Sequence, residues 1–296
     1  MAIVSIAADL GQHLERCFAA LPVPAGLDLD ARGMRGSVAE LDDTSRQALQ
    51  HLGSCSKALL RSNGFAVLKG VPKTPDARGL MALACQIGEV FDNRQHQAST
   101  VIEASPTIDA QLQGNQTEPL FLHTDFAMLE TPPAVTIIHC RQGDPLGVEF
   151  GRNGIAIAQA IVSRYFGSAL LDDFQSIPLP FGGRTPSGED IVLSSPLLLK
   201  PEAGSKLARV RFHPSRIHHG FRLRGGSPTK AETRVLRMFQ RAAARVRSEI
   251  GLDAGDILLI NNRSALHDRG RCTLRLGLDA VHSRLVQIVF VQELAA

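Results

Sequence analysis

Apolar positions along the 296-residue chain recur at two periods, and the changes from one to the other predict its elements. Asp42-Asp43-Thr44 offers caps for a helix that stops at Asn63-Gly64, where glycine supplies a left-handed end. A strand over residues 65–69 follows. Thr74-Pro75-Asp76 opens another helix, with Leu80, Leu83, Ala84 and Ile87 as its apolar stripe. Before these lies a Pro- and Gly-rich arm, Leu21 to Gly33. Residues 92–119 turn polar, so this segment is expected to be a mobile loop or lid.

Leu120-Phe121-Leu122-His123-Thr124-Asp125 reads as a strand, which places His123 and Asp125 on one face because side chains repeat every second residue. Residues 135–140 are apolar at nearly every position, the mark of a strand buried on both faces, so His139 is expected to be a satisfied core histidine. Asp144 to Gly147 is a turn, and Asn153 to Phe166 reads as a short helix. Turn-rich pieces at 181–184 and 185–188 precede short strands at 191–193, 197–200 and 208–212. His218-His219 fall in a turn beside Gly220. The capping box Thr229-Lys230-Ala231-Glu232 starts a helix that Gly251 is expected to close. A strand over 256–262 leads towards His267. On a last strand, 283–291, Arg284, Val286, Ile288 and Phe290 share one face. Several short strands separated by Gly/Pro turns imply a mainly β fold with flanking helices, built as an antiparallel barrel or sandwich.

Composition narrows the function classes. At 44% hydrophobic the chain can bury a large core, and a formal charge of +3 does not by itself call for nucleic acid or a membrane. Arg234, Arg237, Arg241 and Arg245 form a basic helical face, but no aromatic residues interleave with them, so a solvated face is expected. Five cysteines with no C-x-x-C pair argue against a disulfide framework and a structural zinc site, which makes the cytoplasm the default compartment. No apolar run approaches a membrane span, and the first eight residues lack the basic flank of a signal peptide. The sequence does not indicate the oligomeric state.

Two histidines and a carboxylate on one side of a metal, with the other side open, suit a non-haem iron(II) centre. His123, Asp125 and His267 are the candidate ligands. An arginine on an apolar strand face, Arg284, calls for an anion, because guanidinium keeps its charge and is costly to bury unpaired.

These pieces, with Gly64 to Gly70, Thr131-Pro132-Pro133, Cys140-Arg141 through Asp144-Pro145, and Asn262-Arg263, stand in an order that resembles the taurine dioxygenase and clavaminate synthase-like superfamily from about residue 60 onward. The resemblance implies a single oxygenase domain over 1–296. In it, residues 1–63 form an arm and support helix, and 64–296 a double-stranded β-helix (jelly-roll) barrel with a lid at about 92–119 and a helix at about 230–250. It also implies Fe(II) held by His123, Asp125 and His267, 2-oxoglutarate as cosubstrate with its far carboxylate on Arg284, and O2. The expected reaction is hydroxylation of an unactivated C–H bond in a small polar substrate, an amino acid or its derivative. Arg269, Gln113 and Asn115, with Gln111 beside them, are candidate substrate contacts. Asp125 argues against the halogenating relatives, which lack that carboxylate. After Asp144-Pro145, where relatives place a threonine that helps hold 2-oxoglutarate, this chain has Gly147-Val148-Glu149-Phe150. The alternatives left open are a sulfonate or phosphonate dioxygenase, a catalytically silent metal-binding barrel and a nucleic-acid binder.

Overall fold

The computed structural model describes all residues except 1, 24–25, 75, 93, 95–98, 111–112, 186, 203–205, 278–280 and 296. The chain opens with β1 (Ile3–Ser5), α1 (Ala8–Ala20), α2 (Ala31–Ala39), α3 (Asp43–Asn63), β2 (Phe65–Lys69) and α4 (Arg78–Ile87). α3 begins where the Asp42 carboxylate accepts the Ser45 N–H at 2.9 Å, and it ends at Gly64 with φ +78°, as the sequence predicts. α4 starts at Arg78 rather than at Thr74. Asp76 accepts the Arg78 N–H and pairs with its guanidinium, while Pro75 lies outside the described residues. The arm contains more structure than its composition suggests, since α2 begins inside it on an Asp30 cap.

Next come β3 (Gly88–Val90), β4 (Ile102–Ala104), β5 (Leu120–His123), β6 (Val135–Gln142), β7 (Asn153–Ile157), α5 (Ala158–Arg164) and α6 (Ala169–Ser176). The helix expected over 153–166 therefore starts five residues late. Its first turn is instead β7, paired with neighbours on both sides. The chain continues with β8 (Leu179–Arg184), β9 (Asp190–Ser195), β10 (Leu198–Leu199), β11 (Arg209–Val210), α7 (Pro214–Arg224) and α8 (Lys230–Val246). Residues 181–184 are thus strand rather than turn, and His218-His219 lie within α7. α8 opens on the predicted capping box but ends at Val246, short of Gly251. The reason is β12 (Ser248–Ile250), which pairs with β7. Last are β13 (Ile257–Asn261), β14 (Ala265–Arg269), β15 (Leu274–Leu276), β16 (Val281–Ser283) and β17 (Leu285–Leu294).

Two sheets position the site. The larger runs β1-β2-β13-β6-β17-β3, with β4 also on β17, and the smaller runs β12-β7-β14-β5. Apart from β1 on β2, their pairings are antiparallel. Alternate residues of the central strands enter different cores, which explains their unbroken apolar runs. Ala66, Leu68, Ile137 and Leu259 pack with α1 to α4, whereas Val67, Ile138, Leu258 and Ile260 face Ile155 and Ala265 of the smaller sheet. On the far side of that sheet, Ala156 and Leu266 join a third core with α5 to α8. The same parity sends Asn153, His267 and Arg269 into the space between the sheets beside Ile155 and Ala265. Arg234, Arg237, Arg241 and Arg245 are exposed on the outer face of α8, as expected. No helix among the described residues is long and apolar enough to cross a membrane.

The polar segment 92–119 is tied down in part. Within it β4 joins β17, and Arg269 donates to the carbonyls of Gly114, Gln116 and Glu118 at 2.5 to 2.7 Å. The lid expectation also covers residues 93, 95–98 and 111–112, Gln111 among them, which lie outside the described residues.

Candidate metal centre

β5 and β14 pair so that His123 lies directly across from His267. Their ring centroids are 4.3 Å apart. Asp125 completes the group, with Oδ1 3.7 Å from His123 Nε2 and Oδ2 3.4 Å from His267 Nε2. One ligand atom from each residue lies within 4.8 Å of the others.

β5 stops at His123, so strand periodicity does not aim Asp125. Asn262 does this from the end of β13. Its Oδ1 accepts the Asp125 N–H at 2.7 Å, and its Nδ2 donates to the carbonyls of Asp125 and Pro133 at 3.1 and 3.0 Å. Phe126 then takes φ +52°, a left-handed conformation that turns the chain away after the carboxylate.

The donors suit a divalent cation. His123 Nδ1–H donates to the Phe121 carbonyl at 2.8 Å, which leaves the Nε2 lone pair facing the group. The Thr136 hydroxyl donates to Asp125 Oδ2 at 2.6 Å. Burial alone would raise the Asp125 pKa, but His267, His123 and Thr136 together hold the carboxyl below its usual range. His123 is also shifted, since the Asp125 carboxylate outweighs burial and raises it. His267 moves the other way, pushed by burial down to about 4, so its imidazole is neutral at physiological pH. An ionised carboxylate between two buried imidazoles is the donor set that imidazole- and carboxylate-binding transition metals prefer.

The cluster opens onto a cavity of about 640 Å³ between the sheets. Arg284, Val286, Ile288 and Phe290 line one wall, the face the sequence assigns them. Arg284 is 5% exposed and forms no salt bridge among the described residues, so it is not a surface ion pair. It donates to Asn153 Oδ1 at 3.0 Å. Gly151, at φ +60°, lies so close that a Cβ there would sit 2.7 Å from Arg284 Cδ. Arg269 reaches the cavity, but its two terminal nitrogens are spent on the 114–118 carbonyls. Asn115 lines the cavity and accepts the Ser105 N–H through Oδ1, whereas Gln113 is not in the lining. Residues 147–150, which stand where the resemblance would place a threonine, are not in the lining either, while Thr136 is.

Sequence reasoning passes over His213 and Arg216, which enter the cavity from the first turn of α7. The His213 ring lies 5.0 Å from that of His123, and burial, then His123, pushes its pKa down to about 3. Pro214, at a position proline favours for opening a helix, was the available local signal. Asn153 was hidden by the helical reading of its segment. His139 is buried as expected but not satisfied, since neither ring nitrogen has a hydrogen-bond partner among the described residues. His282 lies in β16, outside the cavity lining.

No curated protein sequence matches the chain. Among solved structures, an asparagine oxygenase in complex with Fe(II), 2S,3S-3-hydroxyasparagine and succinate is 17% identical, with 98% of this chain and 93% of that one covered and a TM-score of 0.77. The non-heme iron oxygenase OrfP, in complex with Fe, succinate and (3S)-hydroxy-L-Arg, is 16% identical, with 98% and 94% covered and a TM-score of 0.70. PvcB from Pseudomonas aeruginosa is 18% identical, with 81% and 79% covered and a TM-score of 0.58. At these identities the likeness is one of fold. The sequence match is to a family model described as taurine catabolism dioxygenase TauD, TfdA family, over residues 37–273. That stretch holds His123, Asp125 and His267 as well as most of both sheets, and so the chain belongs to the TauD/TfdA dioxygenase family.

Proposed function

We propose that the protein is an iron(II)- and 2-oxoglutarate-dependent oxygenase that hydroxylates an unactivated C–H bond of an amino acid or amino-acid derivative. One observation carries the reading: an open-sided cluster of two imidazoles and a carboxylate shares a cavity with a buried arginine that has no acidic partner among the described residues. In this reading His123, Asp125 and His267 hold iron, and the planar fork of Arg284 takes the far carboxylate of 2-oxoglutarate. Iron bound there supplies dioxygen chemistry, in which R–H, 2-oxoglutarate and O2 give R–OH, succinate and CO2.

The protein's own groups do the positioning. Asn262 fixes the backbone of Asp125, the Phe121 carbonyl fixes the His123 tautomer, and Asn153 orients Arg284. Phe126 and Phe290, with centroids 5.0 Å apart, give the cavity an apolar side that limits water. We read the facing sheets as the halves of a double-stranded β-helix within one oxygenase domain spanning the chain. The fold likeness to two amino-acid oxygenases supports the substrate class.

The test is succinate release from 2-oxoglutarate with iron, across a panel of amino acids and alkylsulfonates, by wild type, His123→Ala and Asp125→Ala. Amino-acid-stimulated release by wild type alone is expected. Stimulation by sulfonates only would move the protein to the sulfonate-oxidising reading. Equal background in all three proteins would favour a silent barrel.

A further inference from the structure

Among the described residues four guanidinium groups line the cavity, and three are engaged. Arg184 faces Asp190 at 3.2 Å. Arg269 is held on the carbonyls of Gly114, Gln116 and Glu118. Arg284 rests on Asn153, with the rest of its fork free for the cosubstrate. Arg216 is different. It is half-buried in the first turn of α7 and makes no hydrogen bond or ion pair among the described residues.

The cavity's acids do not answer it. Asp125 stands between the two histidines, Asp268 accepts from Arg247 and the Gly154 N–H, and Glu103 accepts from Gln287. Burial lowers the Arg216 pKa and no carboxylate opposes that shift. A cation in such a setting wants an anion, and the described residues do not provide one.

Topology separates this charge from Arg284. In the smaller sheet β14 lies between β7 and β5. Arg284 is anchored to Asn153 of β7, on one flank of β14. The α7 end that carries Arg216 is set beside β5 on the other flank, because His213 packs its ring against that of His123. The two arginines therefore approach the His123–Asp125–His267 cluster from different sides. Charge counting reaches the same result. A divalent metal, one aspartate, Arg284 and the 2-oxoglutarate dianion sum to zero, so neither metal nor cosubstrate calls on Arg216, and unlike Arg269 it has no carbonyls to donate to among the described residues.

We propose that Arg216 is a specificity residue that binds an oxyanion of the substrate, a carboxylate, sulfonate or phosphonate, while Arg284 serves the cosubstrate. The proposal rests on the oxygenase reading above. It narrows the substrate to molecules bearing a free anionic group, so the carboxylate of an amino acid would have to be unblocked.

Binding is tested by calorimetry on anaerobic protein loaded with iron and 2-oxoglutarate. The probes are the proteinogenic L-amino acids, their carboxamides, short alkylsulfonates and short alkylphosphonates, titrated into wild type, Arg216→Gln and Arg216→Lys. An oxyanion probe should bind wild type, and losing one charge-assisted contact should weaken it about ten- to a hundredfold in Arg216→Gln. Arg216→Lys should fall between, and 2-oxoglutarate affinity should stay with wild type. Sulfonate and phosphonate arms that bind where the amino acids do not would identify which oxyanion is meant. The proposal is overturned if an acid and its carboxamide bind wild type alike, if Arg216→Gln binds the probe as well as wild type, or if no oxyanion probe binds. Failure of the oxygenase reading looks different, as absence of 2-oxoglutarate consumption by wild type with every probe.

Discussion

Replacing Asn262 with alanine should damage metal binding through a residue that touches no metal. The side chain is fully buried and makes three hydrogen bonds, one to the Asp125 N–H and two to the carbonyls of Asp125 and Pro133. At a net value of about 1 kcal/mol each, their loss removes about 3 kcal/mol of folding stability, and stranded buried partners add to it. A domain with about 5–15 kcal/mol to spare can still fold with that loss. The damage to the metal site is separate, because the Asp125 backbone is then free to rotate its carboxylate away from the two imidazoles. Loss of an outer-shell partner typically lowers metal affinity about ten- to a hundredfold. Two measurements check this: urea unfolding for stability, and anaerobic iron(II) titration against a coloured chelator for affinity. Asn262→Asp keeps the acceptor for the Asp125 N–H and loses both donors, so it should lie below wild type in both. If Asn262→Ala is destabilised by the stated amount yet binds iron(II) as wild type does, the clamp is structural only and the argument fails.

Two further outcomes follow from the same geometry. Gly151→Ala places a Cβ against Arg284 Cδ at a backbone angle that costs a non-glycine residue about 1–2 kcal/mol, so 2-oxoglutarate affinity should drop. An unchanged 2-oxoglutarate titration would mean that Arg284 can shift without consequence. The second concerns acid stability. Burial, and then Arg141, holds the His139 pKa at about 4 against an ordinary 6.5, so the unfolded chain takes up the proton first as pH falls. Its contribution, at most about 3 kcal/mol, is present above pH 6.5 and lost as pH falls towards 4. His139→Leu should therefore lose stability less steeply than wild type across that window in urea melts taken at several pH values. Parallel curves would show that His139 does not supply the slope.

Much of this molecule follows from local rules, and particular residues show where those rules stop. The Gly64 helix end and the Thr229-Glu232 capping box are decided within four or five residues, so they can be read directly. The two-residue period of β17 sends Val286, Ile288 and Phe290 to one wall for the same reason, while Arg284 joins that wall from just before the strand, ahead of a register shift between Leu285 and Val286. Residues 153–157 are a strand because β14 and β12 lie on either side, and residues 248–250 leave the helix because β7 offers them an edge. Neither partner is near in sequence. His123 and His267 could be named as ligand types from the chain, but only strand pairing sets them opposite one another. Asp125 is aimed by a distant asparagine, and Arg216 stands as an unanswered charge only because packing half-buries it and engages the cavity's acids elsewhere among the described residues. Side-chain chemistry and short-range periodicity belong to the sequence itself. Which groups meet, and which are left without a partner, depends on the non-local packing that folding alone produces.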